Sequence, residues 1–327
     1  GIGYKGVKFT KNDAVTGWYN IHDVSWDYAH SSYECRSGKT GVTNFDNADL
    51  GIVTSLKLHS FVVIGWTNSG SDYVAGQLKY RLYKQSASAG DYSTYNVGNY
   101  GNNSWGAYDV LIQDGDNRVV GKNGDMNMTL VDNNTAPGQY YLQLHGLGRM
   151  QWTNNGSSGS FSDYNGSEVK AQLVVPGFTT TSKSQTFDNT QVNNSSSKTI
   201  SFGTHYGTAL KTSNCSISGT NASEFSVTSI NESGVTVQFK PISAGDKTAT
   251  LTITDAHSKK CTITLSGHAQ SPTPSITIST TQQYLQIGKD KLTLTINYTN
   301  IPEGHCYRVK VGAGYYNGNE EGKNYDT

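Results

Sequence analysis

Ala249-Thr250-Leu251-Thr252-Ile253, and then Cys261-Thr262-Ile263-Thr264-Leu265, decide the fold. In both stretches apolar and polar residues alternate, so Leu251 and Ile253, then Ile263 and Leu265, share a face two residues apart. That is the pattern of a half-buried antiparallel strand. The same alternation extends outward through Thr199-Ile200-Ser201-Phe202, Cys215-Ser216-Ile217 and Val235-Thr236-Val237-Gln238-Phe239. Residues 178–270 therefore read as seven short strands folded into a sandwich of two sheets.

The residues before this unit follow the same rule. Val53–Leu58 and Phe61–Trp66 read as strands, and Gln77–Tyr83 places Leu78, Tyr80 and Leu82 on one face. Gln139–His145 repeats the pattern, and Val169–Val175 reads as a closing strand. Gly/Asn/Ser clusters such as Asn99–Ser104 separate these runs as loops. No segment keeps a helical period over three turns. Residues 1–177 are thus expected to form an aromatic-rich β-sandwich, closed by Pro176-Gly177. Ser271-Pro272-Thr273-Pro274 reads as a short, stiff linker. Residues 271–327 hold further strand-like runs but are few for a stand-alone sandwich. They are expected to be a partial β-domain, part of a longer parent chain, because an open sheet edge is an aggregation liability. The fold class is all-β, with tandem sandwiches.

Composition narrows the function. The 327 residues carry 25 Lys+Arg and 25 Asp+Glu, which leaves no electrostatic footprint for nucleic acid or an anionic membrane. Charged residues are 15%, below the roughly 25% usual for soluble domains. The 21 Tyr and 5 Trp make the chain aromatic-rich, a composition suited to uncharged polar partners. No run approaches the ~20 apolar residues that span a bilayer, so membrane insertion is not expected of this segment. The chain opens Gly1-Ile2-Gly3-Tyr4 without a signal peptide, as a processed chain would. Cys35, Cys215, Cys261 and Cys306 are widely spaced and form no Cys-x-x-Cys, which disfavours zinc. Cys215 and Cys261 share a unit, and the sequence leaves open whether they bridge or are small buried hydrophobes.

Ile217-Ser218-Gly219-Thr220-Asn221-Ala222-Ser223-Glu224-Phe225-Ser226-Val227, then Val237–Pro241, Ala244-Gly245 and Leu265–Ala269, resemble the immunoglobulin-like ASH and choice-of-anchor modules of Bacteroidetes surface proteins. The resemblance implies a secreted or outer-surface spacer, with turns at Gly219 and Gly245 and a core holding Phe225, Val227 and Phe239. Asn47–Gly51, Ser55-Leu56, Trp66–Gly76 and Tyr80–Tyr83 resemble an accessory β-domain of secreted Bacteroidetes proteins. Such domains accompany polysaccharide-active enzymes, and no family binding residue carries over.

Three candidate sites stand out. Trp66, Tyr100, Trp105, Tyr108 and Trp152 lie in or beside Gly/Asn-rich stretches. A ring in a loop stacks on a sugar's apolar face, while Asn102, Asn103, Asp109 and Asn154 bond hydroxyls. Alternatively, these rings cap the sandwich core, a reading that suits Trp66 best because it ends an apolar run. Asp114-Gly115-Asp116-Asn117, followed by Asp125, resembles an oxygen-rich calcium loop, the one cofactor the sequence admits. A polar hairpin turn explains it equally well. His22-Asp23, with Asp27 and His30, places imidazoles beside carboxylates. No Gly-x-Ser-x-Gly or His-Glu-x-x-His accompanies them, and no catalytic residue is assigned. The leading expectation is a non-catalytic extracellular adhesion or carbohydrate-binding protein, gripping a glycan or another cell-surface partner through loops of its first unit. A polysaccharide-acting hydrolase, or its accessory region, and a structural stalk or filament subunit are the alternatives.

Overall fold

The computed structural model describes residues 2–23, 35–66, 73–97, 110–114, 117–151, 161–163, 165–281, 293–301, 304, 313–314 and 324–325. Side chains at 66, 73, 110, 112–114, 117–118, 125, 151, 161–163, 313–314 and 324–325 lie outside that description. Among the described residues there is no α-helix; the helical pieces are two 3-10 turns, Thr212–Asn214 and Ala222–Glu224. None of these is long and apolar enough to cross a membrane.

The first unit contains β1 (Ile2–Lys11), β2 (Ala14–Val15), β3 (Trp18–His22), β4 (Val42–Asn44), β5 (Asp49–Ile52), β6 (Leu56–Trp66) and β7 (Tyr73–Lys84). It continues with β8 (Ser93–Val97), β9 (Val110–Asp114), β10 (Asn117–Val131), β11 (Gly138–Gln151), β12 (Phe161–Asp163) and β13 (Glu168–Val175). One sheet runs β4-β3-β1-β6-β10-β9, with β2 on β1. The other runs β5-β13-β11-β7-β8, with β12 on β11. Their inner faces form one core. β7 contributes Leu78, Tyr80 and Leu82, the face that alternation predicts, opposite Val7, Phe9, Leu58, Phe61 and Val63 of the first sheet.

The end of the run expected at Val53–Leu58 joins the run expected at Phe61–Trp66 in a single strand, β6, and Val53–Ser55 precede it. Ser60 between them is buried and donates to the Asn123 side chain at 3.2 Å, so its hydroxyl does not break the ladder. The unbroken apolar run Val62-Val63-Ile64 has a separate cause. The first sheet is buried on both faces at this end, with Tyr4, Trp18, Cys35, Val62, Ile64 and Val119 clustered on the outer side. Strands covered twice lose alternation.

In the second unit β14 (Gly177–Phe178) pairs with β18 (His205–Tyr206), and β16 (Thr190–Gln191) pairs with β23. Seven strands make the body: β15 (Ser182–Thr186), β17 (Ser196–Ser201), β19 (Cys215–Ser218), β20 (Phe225–Ile230), β21 (Gly234–Phe239), β22 (Gly245–Thr254) and β23 (Lys260–Gln270). They form sheets β15-β23-β22-β19 and β17-β21-β20. Numbered along the chain, that is 1-7-6-3 packed on 2-5-4, an immunoglobulin-like sandwich whose first strand has joined the sheet of the last. Phe225 and Phe239 stack at 4.8 Å in its core, against Phe187. Gly219 and Gly245 take φ values of +109° and +105°, the turn conformation that favours glycine.

Two buried atoms of this unit, His205 Nδ1 and His257 Nε2, have no hydrogen-bond partner among the described residues, whereas its enclosed charges are paired. Glu224 and Lys247 meet at 3.1 Å with both side chains almost fully enclosed. Beyond the linker, β24 (Ser275–Ser279) and β25 (Thr295–Thr299) form a two-stranded ribbon. Ile276 pairs across from Tyr298 and Ile278 from Ile296, all four exposed.

Cys215 and Cys261 do not bridge each other. Cys215 and Cys261 are both free. Cys215 pairs with Ile253, and Ile253 with Cys261, so β22 lies between them. Two strand spacings are about 10 Å, beyond the reach of a disulfide.

Candidate functional site

The outer face of the second sheet follows from the same alternation that fills its inner face. With Leu142 and Leu144 turned inward, Tyr141, Gln143 and His145 of β11 turn outward. Register then aligns three rows across β13, β11 and β7: Gln172–Tyr141–Tyr83, Lys170–Gln143–Arg81 and Glu168–His145–Lys79. Side chains so aligned touch. The Tyr83 and Tyr141 rings lie 5.8 Å apart, tilted by 53°. The Lys170 ammonium sits 4.6 Å above the Tyr141 ring, and the Arg81 guanidinium 4.0 Å above that of Tyr92.

Arg81 is fixed rather than available. Its Nε and one terminal nitrogen donate to the Gln143 carbonyl oxygen at 3.0 and 2.9 Å, and the other donates to the Gly90 carbonyl at 2.8 Å. The Gln143 amide in turn donates to Glu168 at 2.6 Å. Burial, together with the neighbouring Glu168 carboxylate, pushes the Tyr92 hydroxyl up to about 12, although no aligned hydrogen bond joins the pair.

One end of this face opens into a depression of about 300 Å³ lined by Asn47, Ala48, Tyr141, Lys170 and Gln172. The Tyr141 hydroxyl, the Gln172 amide and the Lys170 ammonium there have no hydrogen-bond partner among the described residues. Asp46 beside them is committed, accepting from the Lys170 backbone N–H at 3.2 Å and the Asn47 amide at 3.0 Å. The arrangement is an aromatic ring with unspent donors and acceptors around it, as small-molecule sites require.

A second cluster lies between the sheets. Lys5 of β1 is fully buried and its Nζ has no hydrogen-bond partner among the described residues. Two glycines of β11 make room for its stem. A Cβ on Gly146 would stand 2.9 Å from Lys5 Cδ and from Ile21 Cδ1; one on Gly148 would stand 3.0 Å from Lys5 Cε and Ile2 Cγ2. Burial lowers the Lys5 amine to about 7. His22, paired with Lys5 in register, is lowered to about 4 by burial, then by Lys5 and His145.

The side chains of the aromatic and metal candidates lie outside the described residues. Tyr100, Trp105, Tyr108, Trp152 and Asp116 lie outside the described residues, as do Asn102, Asn103, Asp109, Asn154, Asp27 and His30. Trp66 ends β6, its side chain outside the description. Asp114 ends β9, while Asp125 lies within β10, eight positions beyond Asn117. Their side chains, like residue 116, lie outside the described residues. Among the described residues no three His, Cys, Asp or Glu converge as a metal site. Asp23 does not act on His22; it accepts from Asn20 at 2.6 Å and from the Ser37 backbone at 3.2 Å. Loops were the expected place for recognition, yet the described depression lies on a sheet face. Its signal was the outward set Tyr141, Gln143 and His145, readable from the alternation.

No protein-family model matches the chain, and no curated protein matches it. Solved structures show faint likeness. An endo-fucoidan hydrolase of glycoside hydrolase family 107 is 12% identical over 82% of this chain and 34% of its own, with a TM-score of 0.22. The chain thus spans about a third of that hydrolase. The I67–I69 fragment of titin is 12% identical over 79% of this chain and 88% of its own, at 0.23. A protocadherin fragment, PcdhgB3 EC1-4, is 10% identical over 79% and 58%, also at 0.23. Likeness this faint carries no weight for fold or function.

Proposed function

We propose that the protein is a non-catalytic, extracellular glycan-binding protein. The outer face of the second sheet in the first unit holds the sugar, and the immunoglobulin-like unit is a spacer. The supporting observation is the open depression at Tyr141, where a ring, an ammonium and an amide with unspent hydrogen bonds meet on a rigid sheet. Sugars present hydroxyls around apolar ring faces, and such a surface answers both. A single shallow site binds weakly, so avidity from several copies at a cell surface sets the useful affinity.

The test is a glycan array probed with the intact chain, then with Tyr141→Ala and Gln172→Ala. Both side chains are at the surface of a sheet with inward core residues intact, so the variants fold. Retention of one glycan class, lost in Tyr141→Ala and weakened in Gln172→Ala, supports the reading. Retention unchanged in both variants removes this face from it, and no retention on any glycan removes the function itself.

A further inference from the structure

Asn221, Glu224 and Lys247 meet in the immunoglobulin-like unit, where the 3-10 turn Ala222–Glu224 lies against β22. The Lys247 Nζ stands 3.1 Å from Glu224 Oε1, and the Asn221 Nδ2 donates to the same oxygen at 3.3 Å. One carboxylate oxygen thus lies between an amine and a side-chain amide. The other, Oε2, accepts from the Ile242 backbone N–H at 3.0 Å, which fixes the carboxylate. The Lys247 Nζ also donates to the Ser243 hydroxyl at 2.6 Å. The Asn221 carbonyl oxygen accepts from the Thr248 backbone N–H at 3.0 Å. β19 ends at Ser218, paired with Thr250, and the Asn221 side chain takes the N–H that β19 leaves open. The amide is thereby held against the strand that carries the amine.

A buried ion pair is by itself a weak stabiliser. These groups are also the parts that transfer of an amide requires. Lys247 supplies a nucleophile, Glu224 moves protons, and the Thr248 N–H points at the oxygen on which charge develops. Glu224 and Lys247 are 4% and 5% exposed, so little water keeps the amine charged.

We propose that Lys247 and Asn221 join in an intramolecular isopeptide bond, with Glu224 shuttling the protons and ammonia as the product. The ion pair is the state before reaction. Lys247 passes a proton to Glu224, and the freed lone pair on Nζ bonds the Asn221 side-chain carbonyl carbon. The displaced C=O pair rests on Oδ1, facing the Thr248 N–H. Glu224 then protonates Nδ2 and takes a proton from Nζ. The C=O bond re-forms as the bond to Nδ2 breaks. Ammonia departs to solvent, since Asn221 is only partly buried. Nothing is oxidised or reduced. The bond ties the turn after β19 to β22 and closes a covalent loop within the unit.

Mass spectrometry of the intact chain tests this. The folded protein is held at neutral pH until its mass is constant, then denatured and cut after glutamate. Glu224 and Glu232 stand between Asn221 and Lys247, so the cut leaves these two on separate peptides unless a bond joins them. The expected result is a chain lighter than its sequence by one ammonia, with the two peptides still joined through Asn221 and Lys247. A chain of full mass whose peptides separate overturns the proposal, and so does an ammonia lost elsewhere with these peptides unjoined. That measurement needs no variant. Glu224→Gln keeps the shape and removes the proton shuttle, so it should retain full mass. A bond that closes equally fast in that variant overturns the role of Glu224.

Discussion

Replacing Lys5 by methionine should stabilise the first unit, by an amount that depends on pH. Methionine keeps the length of the stem and removes the charge. In the native protein burial holds the Lys5 amine at about 7, against an ordinary value of 10.5. At about 1.4 kcal/mol per tenfold, enclosing the cation costs on the order of 5 kcal/mol. Because the folded value lies below the unfolded one, the unfolded chain binds this proton more tightly between pH 7 and pH 10.5. Stability therefore rises with pH across that window. At pH 7 roughly 4 kcal/mol of the penalty is present, and at pH 10 less than about 1 kcal/mol remains. Lys5→Met should gain about 3–4 kcal/mol at pH 7 and lose most of that advantage by pH 10. Tyrosines and thiols that ionise near pH 10 are common to both proteins and cancel in the difference. All 5 tryptophans, Trp18, Trp26, Trp66, Trp105 and Trp152, lie in the first unit. Urea unfolding followed by intrinsic fluorescence thus reports on the unit that contains Lys5. An advantage equal at both pH values, or a variant less stable at pH 7, refutes the reasoning.

In the second unit, Lys247→Met leaves the enclosed Glu224 carboxylate without its cation and should cost about 3–5 kcal/mol, read as a lowered calorimetric transition. Adding Glu224→Leu to that variant should recover much of the loss, since a buried pair replaced by apolar groups is often near neutral. Thiol titration should find Cys35, Cys215 and Cys261 unoxidised and unreactive until the chain unfolds. Burial raises the Cys215 thiol to about 11 and the Cys261 thiol above its usual range, so native labelling at pH 8 should be slow at both. Gly148→Ala should destabilise the first unit, because its Cβ meets Lys5 and Ile2 at 3.0 Å in a space with no slack.

What could be read in advance was whatever alternation controls. Leu78, Tyr80 and Leu82 turn inward because a strand has a period of two, and so do Ile263 and Leu265. The same period, applied to Tyr141 and Gln143, places both on the outer face of the second sheet. Lys5 was not legible. In Gly3-Tyr4-Lys5-Gly6 a lysine between glycine and tyrosine reads as facing water. Register shifts on either side of it, at Ile2/Tyr4 against β6 and Lys5/Gly6 against β3, place it inside instead. Nor does local sequence reveal that Gly146 and Gly148, far along the chain, make room for it. The thiols were equally hidden: strand order, which composition does not contain, puts β22 between Cys215 and Cys261.

The placement of β15 beside β23 has a mechanical consequence. These strands lie near opposite ends of the immunoglobulin-like unit and run parallel, in register from Ser182 with Thr262 to Thr186 with Ser266. Tension pulling those ends apart slides one strand lengthwise over the other, so the bonds between them share the load instead of opening one after another like a zip. A module wired this way yields only when the whole patch shears, which suits a tether that must hold under drag.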